Sequence, residues 1–245
     1  MDDVAVVSVV RDFAMYSRCI ADNANVAGCE LVPIDNRTAN DGVGTCYNRF
    51  LDSRDLSRPA WFVFCHEDFE PLEDLRAALD GRARDSLWGP VGAVTEVVFG
   101  VYHRWRFAGT VLQCGKDGSG EKLQGRPVPD GFKAETFDCQ CVAVHSSLVA
   151  SARLRFDEHL TFDLYVEDLC MAAAGKGIAS RILPLKAHHW SNGSIQPRYA
   201  VQEAYIAAKY PRECFTGTSS WILGGAPPLF RRLMVAAKKL LLRLR

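Results

Sequence analysis

The amino-terminal part of the chain alternates apolar strand-like runs with helical segments, and this alternation constrains the fold more than any other sequence feature. Residues 4–10 are mostly valine, as expected of a strand that is buried on both faces. Further strands are predicted over 29–35 and 61–65, with helices over 14–24 and 42–53 between the strands. Strands that alternate with helices in this way form a parallel sheet with helices packed on its faces. The sequence therefore predicts an α/β fold with a mostly parallel, Rossmann-like central sheet.

The rest of the chain has a different local pattern, with paired strands and a long glycine-rich loop. The predicted segments are a helix over 71–79, strands over 91–101, 104–114, 135–144 and 178–183, a loop over 115–131 and a helix over 162–175. The sequence leaves open whether the loop is a flexible lid or a solvated insertion. With 245 residues and 48% hydrophobic content, the chain can bury one sizeable core. We expect one domain over 1–212, followed by a tail over 213–245.

Charge is distributed unevenly, although the formal net charge is +0. After Glu213 the chain has no Asp or Glu, whereas Arg and Lys supply six positive charges. A neutral chain is neither a nucleic-acid polycation nor an acidic solvating protein, so we expect no nucleic-acid partner. The first residues lack the positive region of a signal peptide, and no run approaches the ~20 apolar residues of a membrane span. A cytoplasmic location is therefore expected.

The tail has the pattern of a basic amphipathic helix over 229–245. Leucine and alanine side chains fall on one face of such a helix, and most of the Arg and Lys side chains fall on the other. A helix of this kind can lie in an anionic membrane surface, which would place the protein peripherally at the inner face of the membrane. The same helix could instead dock on the domain or form a homodimer, and the sequence leaves these alternatives open.

Polar residues follow each of the three amino-terminal strands. They are Arg11 and Asp12 after the first strand, Asp35 and Asn36 at the second, and His66, Glu67 and Asp68 after the third. Ligands of open α/β sheets bind outside the carboxyl ends of the strands, so these residues should surround a site. A hard divalent cation such as Mg²⁺ or Mn²⁺ takes oxygen ligands and bridges phosphates, which makes Asp68 a candidate metal ligand. The alternative is an ordinary acidic start of the next helix.

Two later clusters could also carry chemistry. Glu167 and Asp168 lie in the predicted helix 162–175, where one carboxylate could accept a proton from an attacking hydroxyl. In the alternative interpretation both belong to a solvated helical face. His188 and His189 follow a strand and precede a polar loop, and imidazole is a competent ligand for manganese. A structural histidine is the alternative there.

The order of these motifs along the chain resembles one family. The motifs are Ile34-Asp35-Asn36, Tyr47-Asn48, His66-Glu67-Asp68, Asp138, Phe156-Asp157-Glu158, Glu167-Asp168 with Cys170, and His189-Trp190-Ser191-Asn192-Gly193-Ser194. This set, which spans roughly 4–210, resembles the family 2 type glycosyltransferases of the GT-A fold. It is most similar to the small branch whose domain is named after a streptomycin biosynthesis protein. The resemblance implies a GT-A fold, here followed by the amphipathic tail helix.

The resemblance also implies roles for individual residues. It implies a nucleotide site at Arg11, Asp12, Asp35, Asn36 and Asn48, a Mn²⁺ or Mg²⁺ ion held by Asp68 and His189, and donor-sugar or acceptor contacts from Asp138 and His66. Asp168 would be the general base. Many relatives carry an Asp where this chain has Val166, so Glu167 is the alternative base.

The function implied is transfer of a sugar from a UDP-, GDP- or dTDP-sugar to an acceptor hydroxyl, with inversion at the anomeric carbon. The acceptor would be a sugar or a lipid-linked molecule. Two alternatives remain open at this level: a nucleotide-sugar binding module without turnover, and a nucleotidyltransferase on a related fold. The second alternative usually requires a glycine-rich phosphate loop with basic residues near the amino end, and residues 8–12 contain no such loop.

Overall fold

The structure, a computed structural model, describes residues 1–98, 101–191, 196–225, 229 and 233. Its strands are β1 (Asp3–Val10), β2 (Glu30–Asp35), β3 (Ala60–Cys65), β4 (Phe69–Pro71), β5 (Ser86–Gly89), β6 (Val91–Val98), β7 (Val101–Gln113), β8 (Lys122–Arg126), β9 (Lys133–Ala134), β10 (Thr136–Phe137), β11 (Cys141–His145), β12 (Ala179–Ile182), β13 (Ala187–His189), β14 (Cys214–Thr216) and β15 (Trp221–Leu223). The α-helices are α1 (Phe13–Tyr16), α2 (Val43–Asp52), α3 (Leu75–Leu79), α4 (Ser146–Ala152), α5 (Tyr165–Ala174) and α6 (Pro197–Lys209). A π-helical turn (Ser17–Ala21) and a 3₁₀ turn (Ala24–Val26) complete the helical segments.

The central sheet has seven strands in the order β2-β1-β3-β11-β5-β12-β9. Strand β1 pairs in parallel with both β2 and β3, and β12 pairs in parallel with β5, whereas β11 and β9 run antiparallel to their neighbours. Side chains of β1 alternate between two hydrophobic cores, because Val4 and Val6 pack on one face and Ala5 and Val7 on the other. The predicted α/β fold with a mostly parallel sheet is confirmed.

A second sheet has the strand order β10-β6-β7-β13-β4, with β8 paired to β7. All of its strands follow β3 in the sequence. Within it, β13 runs antiparallel to β4, and His189 pairs with Phe69. The backbone N–H of Trp190 donates to the carbonyl oxygen of Asp68 at 2.9 Å. This pairing brings a late segment of the chain beside the residues that follow β3.

Several predicted segments differ from the observed elements in their bounds. The predicted helix over 14–24 is α1 followed by the π-helical and 3₁₀ turns, and the helix predicted to start at 71 starts at Leu75, because residues 69–71 pair as β4. The predicted loop over 115–131 contains β8, whose residues pair with β7. The predicted strand over 135–144 is divided into β10 and β11, which belong to different sheets. Sheet pairing between distant residues overrides the local pattern in each case.

The chain after α6 forms a hairpin of β14 and β15. Phe215 and Ile222 of this hairpin are buried in one of the two hydrophobic cores. The described part of the predicted tail therefore packs on the domain. The predicted amphipathic helix over 229–245 falls almost entirely outside the described residues. None of the described helices has the length and apolar character needed to cross a bilayer.

Candidate metal centre and adjoining cleft

A cleft of about 620 Å³ opens at the carboxyl ends of β1 and β3. Five of the polar residues predicted from the strand ends line it: Arg11, Asn36, His66, Glu67 and Asp68. Its volume is within the range of roughly 300–1,000 Å³ found for small-molecule sites. The polar ends of the parallel strands therefore meet around one concave surface, as the sequence predicts.

His66, Asp68 and His189 form a cluster at the end of β3. One ligand atom from each lies within 4.8 Å of the other two. The Nε2 atom of His189 is 3.4 Å from Oδ1 of Asp68, and Nδ1 of His66 is 3.9 Å from the same oxygen. Both Asp68 Oδ1 and His189 Nε2 are buried and make no hydrogen bond. Buried polar atoms without partners are costly, so the cluster has the composition and the unsatisfied atoms of a cation site.

The hydrogen bonds of Tyr165 fix which nitrogen of His66 faces the cluster. The Tyr165 hydroxyl donates to the carbonyl oxygen of Cys139 at 2.7 Å, so it accepts from Nε2 of His66, 3.0 Å away. A neutral His66 with its proton on Nε2 directs the Nδ1 lone pair towards the Asp68 carboxylate. The lone pair of His66 Nδ1 and the Asp68 carboxylate oxygen then face each other. A cation bound between them would interact favourably with both.

The three side chains influence each other electrostatically. Burial lowers the pKa of His66, so that its imidazole favours the neutral form that binds metals. Burial also opposes a charge on His189, but the Asp68 carboxylate beside it raises the pKa of His189 overall. The pKa of Asp68 is lowered in spite of its burial, because His189, His66 and Lys116 favour its charged form. A carboxylate and two imidazoles form a mixed oxygen and nitrogen ligand set, which a transition metal such as Mn²⁺ accepts more readily than Mg²⁺ does, because Mg²⁺ prefers oxygen ligands.

Phe162 and Arg198 extend the cleft wall beyond this cluster. The Phe162 ring stacks on His66 with centroids 5.7 Å apart, and the Arg198 guanidinium lies 4.6 Å from the centre of the Phe162 ring. Nε of Arg198 donates to Asp163 at 2.9 Å. Sequence reasoning missed both residues, because the segment before α5 and the start of α6 reach the cleft through tertiary packing that no local pattern reveals.

Asp138 and Glu167 lie on the other side of the cluster. Glu167 is only 2% exposed, and Sγ of Cys139 donates to its carboxyl group at 3.0 Å. Burial, with a further contribution from the Asp138 charge, raises the pKa of Glu167 to about 8. The Asp138 charge also acts on His66 and His189. Asp138 is therefore within electrostatic range of both the metal cluster and Glu167.

The Asp138 carboxylate accepts two hydrogen bonds. Its Oδ1 accepts the backbone N–H of Gln140 at 3.1 Å, and its Oδ2 accepts the hydroxyl of Thr218 at 2.7 Å. Two neighbouring carboxyl groups in different environments are a common arrangement at catalytic sites, where the environments separate their protonation states.

Asp168 faces away from this pair. Its carboxylate is 2.8 Å from Nζ of Lys209 and accepts the Tyr210 hydroxyl at 3.0 Å. Burial raises the pKa of Asp168, although Lys209 and Tyr210 favour its charged form. These contacts fasten the amino end of α5 to the carboxyl end of α6, and Asp168 is not among the residues that line the cleft.

The side chains of Asn48 and Asn36 form hydrogen bonds with backbone groups of other segments. The Asn48 amide donates to the Phe156 carbonyl oxygen at 2.9 Å and accepts the Phe156 N–H at 3.0 Å. The Asn36 amide makes the same kind of reciprocal pair with the backbone of Asp41, at 2.9 and 2.8 Å. Asn36 therefore shapes the cleft wall, whereas Asn48 fastens α2 to the segment before α5.

Asp12 and Asp35 are also occupied by local contacts. Asp12 caps α1 by accepting the Met15 N–H at 3.0 Å, and Asp35 is exposed and paired with Arg37 at 2.6 Å. Arg11, which lines the cleft, donates from its guanidinium to the side chain of Asn40. The structure thus brings Arg11, rather than Asp12 or Asp35, to the cleft surface.

Comparison with solved structures supports the fold, whereas comparison of sequences does not find a relative. No protein-family model and no curated protein matches the chain in sequence. The crystal structure of GalNAc-T7 with UDP, GalNAc and Mn²⁺ matches 85% of this chain and 48% of that chain, with a TM-score of 0.53 and 9% identity. The chain has a GT-A glycosyltransferase fold. It spans about half the length of GalNAc-T7.

A second structure of the same fold also matches. It is S. aureus TarS 1–349, with a TM-score of 0.44 and 13% identity, over 86% of this chain and 65% of that chain. The fold rests on the match to GalNAc-T7, whose 9% identity shows the fold alone, and the narrower resemblance to the streptomycin-named branch stays a prediction. In this GT-A fold, His66 and Asp68 of the His-Asp-His cluster line the open cleft, and the cluster is within electrostatic range of Asp138.

Proposed function

We propose that the chain is a metal-dependent glycosyltransferase that moves a sugar from a nucleoside-diphosphate sugar to an acceptor hydroxyl. One observation carries the proposal. His66, Asp68 and His189 form a cluster at the cleft of a GT-A fold, and two of its atoms, Asp68 Oδ1 and His189 Nε2, are buried without a hydrogen-bond partner. These three residues would hold Mn²⁺ or Mg²⁺. When bound, the ion would neutralise charge that develops on the leaving diphosphate.

The nucleotide would lie in the 620 Å³ cleft. Arg11 and Arg198 line this cleft and supply positive charge in addition to the metal site. Asn36 would support the wall by holding the backbone of Asp41. The donor would be a UDP-, GDP- or dTDP-sugar, and the contacts of the described residues do not favour one base over another.

Asp138 is the carboxylate best placed to take the acceptor proton. A general base must be ionised and within hydrogen-bond reach of a hydroxyl, and Asp138 already accepts a hydroxyl at 2.7 Å. The acceptor oxygen would attack the anomeric carbon, the bond from that carbon to the diphosphate oxygen would break, and the proton would pass to Asp138. This single displacement inverts the configuration. Glu167, whose pKa is raised to about 8, would stay neutral beside Asp138 at pH 7.

A thermal-shift experiment tests the donor site. Purified protein is heated with UDP, GDP, CDP or dTDP, with and without Mn²⁺. We expect one nucleotide to raise the melting temperature, and only when Mn²⁺ is present. His189→Gln should abolish this shift. His188→Gln is the matched control, because His188 contacts Glu70 and Glu121 outside the cluster, at 3.2 and 3.3 Å.

Product analysis then identifies the reaction. Release of nucleoside diphosphate from a nucleotide sugar supports glycosyl transfer, whereas release of pyrophosphate would indicate a nucleotidyltransferase. Binding without release of either product would indicate a nucleotide-sugar binding module. No shift with any nucleotide would contradict the proposal as a whole.

A further inference from the structure

The hairpin of β14 and β15 covers the carboxylate side of the candidate metal centre. Residues 217–220, called the hairpin tip here, connect the two strands. Thr218 in the tip is only 3% exposed, and its hydroxyl donates to Oδ2 of Asp138 at 2.7 Å. Gly217 packs on Glu167, since a Cβ atom on this glycine would lie 3.4 Å from Oε1 of Glu167. The tip therefore contacts both carboxyl groups; Glu167 is buried, and Asp138 is partly exposed.

The strands on either side of the tip are held by contacts elsewhere in the domain. The backbone N–H of Thr216 donates to Glu135 at 2.9 Å, and its carbonyl oxygen accepts the hydroxyl of Thr136 at 2.6 Å. Ser220 donates to Glu203 at 2.8 Å. These contacts fix the two ends of the tip without involving the carboxyl groups of the site. Displacement of the tip would keep these strand contacts, but it would break the Thr218–Asp138 hydrogen bond and disturb the turn that the Gly217 N–H closes on the Ser220 carbonyl oxygen at 2.8 Å.

The contact between Thr218 and Asp138 has the chemistry of an acceptor bound to its general base. An acceptor presents an alcohol hydroxyl to a carboxylate within about 2.6–3.2 Å, and Thr218 does this from within the chain. We propose that Thr218 occupies the position of the acceptor hydroxyl, so that the hairpin tip is a plug which the acceptor must displace. This inference rests on the proposed function and locates the acceptor subsite at Asp138, beneath residues 217–220.

The plug would also exclude water from the reacting centre. Closed active sites protect activated donors from hydrolysis. Without the plug, water could take the acceptor's place: its oxygen would bond to the anomeric carbon, the bond to the diphosphate would break, and Asp138 would receive the proton. The products would be free sugar and nucleoside diphosphate. Hydrolysis without any acceptor therefore reports whether the plug is open.

The experiment compares the wild type with Thr218→Val, Thr218→Ala and Thr218→Ser. Valine has the shape of threonine but leaves the Asp138 oxygen facing a methyl group, whereas serine keeps the hydroxyl. Hydrogen exchange of the amides in 217–220 measures opening of the tip. Nucleoside-diphosphate release from UDP-, GDP- and dTDP-sugars with Mn²⁺, in the absence of acceptor, measures hydrolysis. Thermal shifts with the four nucleotides and Mn²⁺ measure donor binding independently of Thr218.

We expect exchange and hydrolysis to rise about tenfold in Thr218→Val, because a hydrogen bond to a charged group is lost. Thr218→Ser should stay close to the wild type, and Thr218→Ala should repeat the effect if the valine variant does not fold. Unchanged exchange, or faster exchange with unchanged hydrolysis, would overturn the plug while nucleotide binding still supports the proposed function. Absence of any nucleotide shift in every protein would overturn the proposed function, and the plug with it.

Discussion

The two sides of the His-Asp-His cluster differ in their exposure to solvent. On one side the cleft is open, and its lining residues follow the ends of β1 and β3. On the other side Glu167 is buried, and Asp138 lies beneath Thr218 of the hairpin tip. Most of the open side comes from residues 9–68, with Thr161, Phe162 and Arg198 added from later in the chain. The closed side combines Asp138, Glu167 and Thr218, which are far apart in sequence. Under the proposed function, the open side would be the donor site and the side beneath the hairpin tip would be the acceptor site.

The open side and the closed side also differ in the charged groups that they present. The open side presents Arg11 and Arg198 to a ligand. The closed side presents two carboxyl groups, one of which is neutral at pH 7 because burial and the Asp138 charge raise the pKa of Glu167 to about 8. Two arginines and three acidic residues, Asp41, Glu67 and Asp68, line the cleft, so a diphosphate bound there would depend on the cation as well as on the arginines. A carboxylate suits an attacking hydroxyl. The following predictions test this division of roles.

Removal of a ligand from the cluster should have the largest effect, since both sides depend on it. A bound metal supplies several kcal/mol of charge stabilisation, so Asp68→Ala should lower the rate of nucleoside-diphosphate release roughly a thousandfold. The Mn²⁺-dependent thermal shift should disappear in the same variant. The His188→Gln protein is again the control. Full activity of Asp68→Ala would show that the cluster does not serve the reaction.

Substitution of Asp138 should separate the closed side from the open side. Loss of a general base costs about 10²–10⁴ in rate, so Asp138→Asn should lose that much turnover while it keeps the nucleotide-dependent thermal shift. Asp168→Asn is the matched control: its carboxylate contacts Lys209 and Tyr210, and we expect less than a tenfold loss. A large loss in Asp168→Asn with little loss in Asp138→Asn would reverse this assignment and support the prediction made from the sequence.

The pH dependence of turnover tests Glu167. Because its pKa is about 8, Glu167 is neutral below pH 8 and adds a second negative charge beside Asp138 above it. We expect the wild-type rate to fall above about pH 8 and this fall to be absent in Glu167→Gln. A rate that rises through pH 8 in the wild type, together with a hundredfold loss in Glu167→Gln, would instead identify Glu167 as the base.

Glu167 should also make the free energy of unfolding depend on pH. Between pH 4.5, the ordinary pKa of Glu, and pH 8, the folded protein holds a proton that the unfolded chain has lost. The free energy of unfolding should therefore decrease as the pH rises through this window. Glu167→Gln should remove that decrease and be more stable than the wild type at pH 9, by roughly 2–4 kcal/mol. Denaturant unfolding at pH 5 and pH 9 measures the difference.

The open side could be predicted from the sequence largely because parallel strands end at one edge of a sheet. Strand β1 is buried on both faces, as its valines predict, and His66 and Asp68 follow β3 at the cleft. The sequence also makes His189 a candidate manganese ligand, and the family resemblance pairs it with Asp68. Its approach to Asp68 depends on the pairing of β13 with β4, which lie far apart in sequence.

The closed side could not be predicted in the same way. Glu167 and Asp168 are neighbours that point about 100° apart on a helix, so one faces Asp138 and the other faces Lys209. Both are buried, and no periodicity of polar residues distinguishes them. Thr218 comes to the site only through the packing of the β14–β15 hairpin. Long-range packing, which leaves no local pattern, therefore decides the roles on this side.

A smaller effect, on stability alone, is expected for Asn48. Its amide satisfies the backbone N–H and C=O of Phe156, and Asn48→Ala would leave both groups without these partners. The free energy of unfolding should fall by about 1–3 kcal/mol. The nucleotide-dependent thermal shift should remain, because Asn48 does not line the cleft. Loss of the shift at full stability would show that Asn48 contacts the nucleotide, as the family resemblance implies.

The smallest effect on the reaction is expected from deletion of residues 226–245, which follow the hairpin and include the six basic residues of the tail. We propose that this segment contacts an anionic membrane, where each Lys or Arg near the surface contributes about 1 kcal/mol. Deletion should therefore abolish sedimentation with vesicles of anionic lipid, while nucleoside-diphosphate release with a soluble acceptor and the nucleotide-dependent thermal shift stay unchanged. Vesicles of neutral lipid are the control for the full chain. Equal sedimentation of the full and shortened chains would contradict the membrane contact, and a change from dimer to monomer on deletion would assign the segment to a subunit interface instead.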